Sequence, residues 1–231
     1  MCVTAVTRSV PLNDKDGGTS MSDSSSEVLS TVVIKESPAP ADPGPLGLAG
    51  FALTTFLLSV HNAGWDRGTG LDWLGYALAY GGFVQLCAGM WEFKNRNVFG
   101  ATAFSSYGGF WIGLALWVEL AAGHAKTAAQ ANNDLGWILL GFFIFTTYMW
   151  LWSAAANLVL FSVFTILEVT FLVLFIGNFA NSTGLVKLGG VLGVITAALA
   201  WYASAAGVIN GMRGRQVLFM GKPLVKPVSN A

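Results

Sequence analysis

The chain has 231 residues, of which 54% are hydrophobic and only 10% charged, well under half of the ~25% charged residues carried by soluble globular domains. Twelve basic residues balance twelve acidic ones, so there is no charge bias of the kind a nucleic-acid partner requires. Cys2 and Cys87 lie far apart; they imply neither a disulfide framework nor a metal site, and no cofactor is called for.

Residues 1–44 are rich in Ser and Pro and hold no apolar run beyond Val32-Val33-Ile34. Such a stretch cannot bury enough apolar surface to offset chain ordering, and reads as a disordered N-terminal tail. Residues 45–211 change character sharply. Apolar runs cover 46–62, 73–91, 100–122, 135–154, 158–177 and 188–209, and about 20 apolar residues suffice to cross a bilayer. Period-two alternation is absent, which argues against a β-barrel. The expected fold is therefore an all-α integral membrane protein with six transmembrane helices per protomer, the first long apolar run acting as insertion signal and residues 212–231 forming a cytoplasmic C-terminal tail.

Basic residues set the orientation. With both termini cytoplasmic, nine basic residues lie inside (Arg8, Lys15, Lys35, Lys94, Arg96, Arg213, Arg215, Lys222, Lys226) and three outside (Arg67, Lys126, Lys187). Small residues recur every four positions at Ala77, Gly81, Gln85 and Gly89, and again at Gly189, Gly193 and Ala197. These stripes read as close helix packing, with Gln85 bonding a neighbouring helix.

Some spans also carry polar residues on one face. On the first, Phe51, Thr55, Ser59 and Asn62 fall within about 80° of one another at 100° per residue. On the fifth, Leu167, Thr170 and Asn178 share a face in the same way. Two readings stand: a lining of hydrogen-bonding groups for a solute path, or bonding between helices. Pro45 near the start of the first helix leaves N–H groups that favour an anion. Gly44, Gly47 and Gly50 leave room there for a substrate or another backbone. Glu168 sits near the middle of the fifth span, where a charge costs ~3 kcal/mol on insertion scales; it is a candidate proton-coupling group or an interface residue. His61 reads as an interfacial hydrogen-bonding residue, and Glu92, Lys94 and Arg96 as a topological anchor.

The run Asp42-Pro43-Gly44-Pro45-Leu46-Gly47-Leu48 resembles the Asn-Pro-Ala-Pro-Leu-Gly-Leu signature of the acetate uptake transporter family, which includes bacterial succinate–acetate permeases and fungal acetate and ammonia-export proteins. The likeness continues through Tyr80-Gly81-Gly82, Glu92-Phe93-Lys94, Phe99-Gly100-Ala101-Thr102-Ala103-Phe104, Tyr107-Gly108-Gly109-Phe110-Trp111 and Ile176-Gly177-Asn178. Asp42 and Gly44 depart from the signature. Asp42 either slows anion entry or caps the helix.

The resemblance implies a hexamer of six-helix protomers in the plasma membrane. Each protomer would hold its own pathway for acetate, and for succinate or other short carboxylates, as anion channel or proton-coupled symporter. It also implies a constriction of Phe51, Tyr107 and Leu167, with the signature residues at the pathway entrance. Channels for ammonium or another small solute, and a carboxylate sensor without flux, stand as alternatives. No catalytic motif appears in the spans, so no enzyme and no catalytic residue are expected.

Overall fold

In the computed structural model the structure describes residues 40–225. Among them the regular elements are all helical, with no strand. The expected tail lies, over residues 1–39, outside the described residues, as do residues 226–231. The elements are α1 (Gly44–Asn62), α2 (Asp72–Leu78), a π turn (Ala79–Val84), α3 (Gln85–Lys94), α4 (Val98–Leu120), α5 (Ala128–Ser153), α6 (Leu158–Phe179) and α7 (Thr183–Arg213). The α2, π and α3 segments follow one another without a break and make one rod. By length and composition α1, α5, α6 and α7 can each cross a membrane.

Local chemistry fixes where the helices begin. Asn97 accepts a bond from Gly100 N at 3.1 Å, and Asn157 one from Leu160 N at 2.9 Å. Thr127 and Ser182 do the same for Gln130 N and Leu185 N at 3.3 and 3.4 Å. Each is a short polar side chain satisfying an N–H that the first turn leaves over. At its far end α7 stops on Gly214, whose φ of 62° is the left-handed conformation that glycine adopts without strain.

Burial departs from that of a water-soluble protein in two ways: polar side chains are fully buried within the apolar core, and large apolar side chains are widely exposed. The largest fully buried side chains are Gln85, Glu92, Val163, Thr54, Thr146, Thr196 and Ser153, all but Val163 polar. On the outside, Val98 is 76% and Trp152 70% exposed. An exterior so rich in exposed apolar side chains suits hydrocarbon as solvent, where the helical backbone satisfies its own hydrogen bonds. With the spanning helices, this describes a multi-pass membrane protein.

Two kinds of seam set the spacing between rods. α7 lies along α1 and α6, α6 along α5, and α3 along α4, while α4 and α5 touch only lightly. The tight seams are built on glycine. A methyl group at Gly190 would overlap the backbone of Ala63, one at Gly193 the Ser59 side chain, and one at Gly89 the Ser105 side chain. The α4–α5 seam is held by rings instead: Phe110 and Phe142 lie 4.6 Å apart, Tyr107 and Phe145 5.2 Å. Small residues let backbones meet; aromatic rings hold them apart.

The π turn belongs to the same logic. Thr54 of α1 donates to its own Gly50 carbonyl at 3.1 Å and lies 3.4 Å from the Tyr76 carbonyl, while a methyl group at Gly50 would stand 2.7 Å from the Tyr80 oxygen. A side chain thus reaches the ladder of the neighbouring rod where that ladder widens from i→i+4 to i→i+5. The wider turn keeps Ala77, Gly81, Gln85 and Gly89, four residues apart, all buried.

The segment after α7 is not a loose tail over its described part. Asn210 donates to Leu218 O and accepts from Val217 N and Leu218 N, at 2.7–2.9 Å. Val159 N donates to Met220 O at 3.1 Å, and Leu224 N to Ala154 O at 2.8 Å. The chain is thereby laid back from the end of α7 onto the start of α6.

The seams give a paired stability test. Gly190→Ala is expected to destabilise the protein by about 1–3 kcal/mol through overpacking. Gly211→Ala, in the same helix with nothing within 4 Å of the added methyl, is expected to be neutral or to gain about 0.5–1 kcal/mol from lost backbone freedom. Thermal unfolding in detergent distinguishes them; equal shifts would remove the glycine-seam account.

Candidate functional site

Two cavities lie inside the ring of rods. The first, of about 240 Å³, sits at the N-terminal end of α1 and is reached by Asp42, Gly44, Pro45, Gln85, Glu92 and Met220 among others. The second, of about 130 Å³, sits toward the other end, lined by Thr55, Ser59, Asn62, Trp111, Thr170 and Asn178 among others. Each far exceeds the ~10–15 Å³ that one water needs. Three side chains line both: Phe51, Tyr107 and Leu167.

Those three come from α1, α4 and α6 and are buried, Tyr107 to 3% exposure. The Phe51 and Tyr107 rings lie 5.7 Å apart, tilted by 55°. The divide between the cavities is thus an aromatic pair with one leucine. Around it the structure gathers the polar residues read from the sequence. Phe51, Thr55, Ser59 and Asn62 all border the second cavity, as do Leu167, Thr170 and Asn178. Several are partly engaged. Thr170 donates to Ile166 O at 2.7 Å, and Asn178 Nδ2 to Leu174 O at 2.9 Å.

Other polar atoms have no protein partner. In the first cavity, Gln85 is 0% exposed with both Oε1 and Nε2 unbonded, so it does not make the interhelical bond expected of it. In the second cavity Thr55 Oγ1 and Trp111 Nε1 are likewise buried and unbonded. A buried unpaired donor costs about 1–3 kcal/mol unless water or a solute meets it. Unsatisfied donors therefore stand on both sides of the Phe51–Tyr107–Leu167 divide. The sequence signal for Gln85 was its place on a small-residue stripe, which reads as packing; Trp111 gave no signal beyond lying in a matching motif.

The signature residues separate into two groups. Asp42, Gly44, Pro45 and Leu48 border the first cavity, whereas Leu46 is 47% exposed and Pro43 and Gly47 are packed away. The Phe104 ring fills the space that a side chain at Gly47 would take, and the Tyr80 carbonyl that at Gly50; the room read there for a substrate is occupied by protein. The N-terminus of α1 is not an open anion site either. Asp42 Oδ1 accepts from Gly44 N at 2.9 Å, Pro45 has no N–H, and Pro43 O accepts from Leu46 N and Gly47 N at 3.1 Å. The first turn is satisfied from within, because the preceding Asp and the Pro43 carbonyl fold back over it.

Glu92 corrects a further expectation. It is 1% exposed and borders the first cavity, and its Oε2 accepts from Asn95 Nδ2 at 3.4 Å. It is no solvated anchor; that role is taken by Lys94, whose ammonium lies 5.0 Å over the Trp91 ring. A side-chain carbon at Gly44 would lie 3.0 Å from Asp42 Oδ1 and 3.5 Å from Glu92 Oε1, so two carboxylates converge on the opening of the first cavity. Among the described residues no Lys, Arg or His lines either cavity.

Glu168 stands apart. Turned about 100° from Leu167 along α6, it borders neither cavity and accepts a bond from Thr147 of α5 at 2.6 Å. His61 lies 3.8 Å from Asp66, also away from both cavities. Among the described residues no cluster of His, Cys, Asp and Glu is arranged to hold a metal ion.

Known proteins share this sequence and shape. The Saccharomyces cerevisiae protein named Ammonia transport outward protein 2 is 43% identical over 183 residues, covering 74% of this chain and 64% of its own; the chain thus spans less than two thirds of that relative's length. The Escherichia coli protein named Succinate-acetate/proton symporter SatP is 39% identical over 183 residues, covering 79% of this chain and 96% of its own. A solved structure described as the bacterial acetate channel SatP matches with a TM-score of 0.73 at 38% identity, over 79% of this chain and 99% of that one. With residues 30–218 matching its model, the chain belongs to the GPR1/FUN34/yaaH family.

Proposed function

We propose that this chain moves acetate, and succinate or other short carboxylates, across a membrane through a path in each protomer, and that it is not an enzyme. The path runs from the first cavity, past Phe51, Tyr107 and Leu167, into the second. The observation that carries this reading is the placement of unbonded donors on either side of one apolar divide. A carboxylate leaving water needs donors in exchange. Gln85 offers them before the divide, Thr55 and Trp111 after it. Among the described residues neither lining carries a cationic side chain, which leaves no deep well to trap an anion and favours passage over retention. The divide itself dewets when closed and passes solute when its rings part. The names of the relatives, a succinate-acetate/proton symporter and an acetate channel, support the same substrate class.

In this reading six rods cross the membrane. The α2–π–α3 rod and α4 join the four apolar spans, residues 1–44 and 212–231 are terminal segments at the cytoplasmic face, and the protein is a homohexamer in the plasma membrane. The bias of nine basic residues against three supports that orientation, and the resemblance to the acetate uptake transporter family supports the hexamer. Of the signature residues, Asp42, Gly44, Pro45 and Leu48 then border the cytoplasmic entrance.

A second reading, passage of ammonium or ammonia, is favoured by one observation. Asp42 and Glu92 give the first cavity two carboxylates and, among the described residues, no cation, a lining that suits a cationic solute better than an anion, and one relative is named for ammonia transport. Uptake of labelled acetate by proteoliposomes, competed by short carboxylates and by ammonium, separates the two. Carboxylates are expected to compete and ammonium not to; competition by ammonium alone would replace the first reading by the second. An imposed voltage without a pH gradient is expected to drive acetate through a channel and not through a proton symporter.

Two substitutions test the path. Leu167→Ala removes one wall of the divide and is expected to admit longer carboxylates that the unmodified protein excludes, measured as their uptake relative to acetate; unchanged selectivity would place the filter elsewhere. Glu168→Gln is expected to leave acetate affinity unchanged, since the side chain borders neither cavity. If Glu168 is the coupling proton site, the variant flattens the dependence of uptake on pH, and an unaltered pH profile removes it from that role.

A further inference from the structure

We infer that Thr146 of α5 is a positioning residue for the gate, holding the Tyr107 hydroxyl turned away from the path; this rests on the path proposed above. The Tyr107 oxygen lies 2.8 Å from Thr146 Oγ1. Thr146 Oγ1 is also 2.7 Å from the Phe142 carbonyl one turn back along α5, to which only a hydroxyl proton can be donated. A threonine hydroxyl has a single proton. With that proton on the Phe142 carbonyl, the bond between the two side chains must run the other way, from Tyr107 O–H to Thr146. The tyrosine donor is thereby committed to α5.

What remains of Tyr107 facing the cavities is its ring. That ring sits among Phe145, Phe51, Phe164 and Phe142, with centroids 5.2, 5.7, 6.2 and 6.3 Å away. Aromatic neighbours fix the ring's plane without a polar handle; the hydroxyl is the one polar attachment it has. Thr146 is 0% exposed and lines neither cavity, so it acts on a solute only through Tyr107. It stands on the buried face of α5 with Leu139, Met149 and Ser153, at the α4–α5 seam, where rings rather than closely approaching backbones make the contact. In the closed gate a carboxylate therefore meets no donor at the divide. Opening requires Tyr107 to leave Thr146, and the freed O–H then becomes available to the passing carboxylate.

The test is a double-mutant cycle read by acetate flux in proteoliposomes. Thr146→Val keeps the branched shape and removes the acceptor. It is expected to raise maximal flux by about two- to tenfold, the span that one net hydrogen bond represents in an equilibrium, with a smaller change in KM. Thr146→Ser, which keeps the hydroxyl, is expected to behave as the unmodified protein. In the Tyr107→Phe background, Thr146→Val is expected to do nothing further. An equal effect of Thr146→Val with and without the tyrosine hydroxyl, or a Ser variant that behaves like Val, would overturn the inference. Thr146→Ala takes the place of Val if the latter does not insert. Should the unmodified protein pass no acetate, the transport reading fails by itself. Fluorotyrosine at position 107 then still reads the bond by fluorine NMR: a resonance moved by Thr146→Val and not by Thr146→Ser supports the anchoring, and one unmoved by both refutes it.

Discussion

Unequal spacing between rods is the constraint on which the interior depends. If all the seams were as close as the one where Gly190 meets the Ala63 backbone, the bundle would be solid. If all were as wide as the one where Phe110 meets Phe142, nothing would hold the rods in register. Glycine is placed where α7 lies on α1 and where α4 lies on α3, and rings are placed between α4 and α5. Both cavities lie between these rods, and Tyr107 lines both of them. In lipid no hydrophobic force drives one helix onto another, so packing shape takes over that task.

Both cavities are lined mainly by apolar side chains, with a few neutral polar groups set among them. Gln85, Thr55 and Trp111 present atoms with no protein partner, while the acidic groups gather near the mouth of the first cavity, where Asp42 and Glu92 face each other over Gly44. Neutral donors exchange for hydration at modest cost and release readily. A row of lysines or arginines would bind an anion more strongly and pass it more slowly. The divide between the cavities adds the opposite element, an apolar stretch whose one hydroxyl, that of Tyr107, is bonded to Thr146. Two cavities that each hold neutral polar groups, in series across an apolar divide, are consistent with the proposed path for a small hydrated solute.

α1 illustrates how a single segment serves several of these demands. Its start is sealed by Asp42 and the Pro43 carbonyl, which removes its N–H groups from any role with an anion. Its middle carries Gly50 and Thr54 against the π turn and Phe51 toward the path. Its last turns offer Thr55, Ser59 and Asn62 to the second cavity while lying against the glycines of α7. Neighbouring rods and both cavities are met by one helix because successive residues point about 100° apart.

The sequence alone determined the solvent, the helical class and the polar faces of α1 and α6, because apolar length and a 100° step are properties of the chain itself. It also carried the family through ordered motifs, and with them Phe51, Tyr107 and Leu167. Tertiary structure decided what each inward face meets. Glu92 sits beside Lys94 and Arg96 and reads as part of their anchor until the turn of α3 buries it. Gln85 reads as a bond between helices until the neighbouring rods offer it no partner. Thr146 is an ordinary threonine in an apolar run, and its bond to Tyr107 spans 39 positions of sequence. Helix periodicity fixes which residues share a face, but the rotation of each rod is set by its neighbours, and only that rotation distinguishes a residue that lines a path from one that packs or meets lipid.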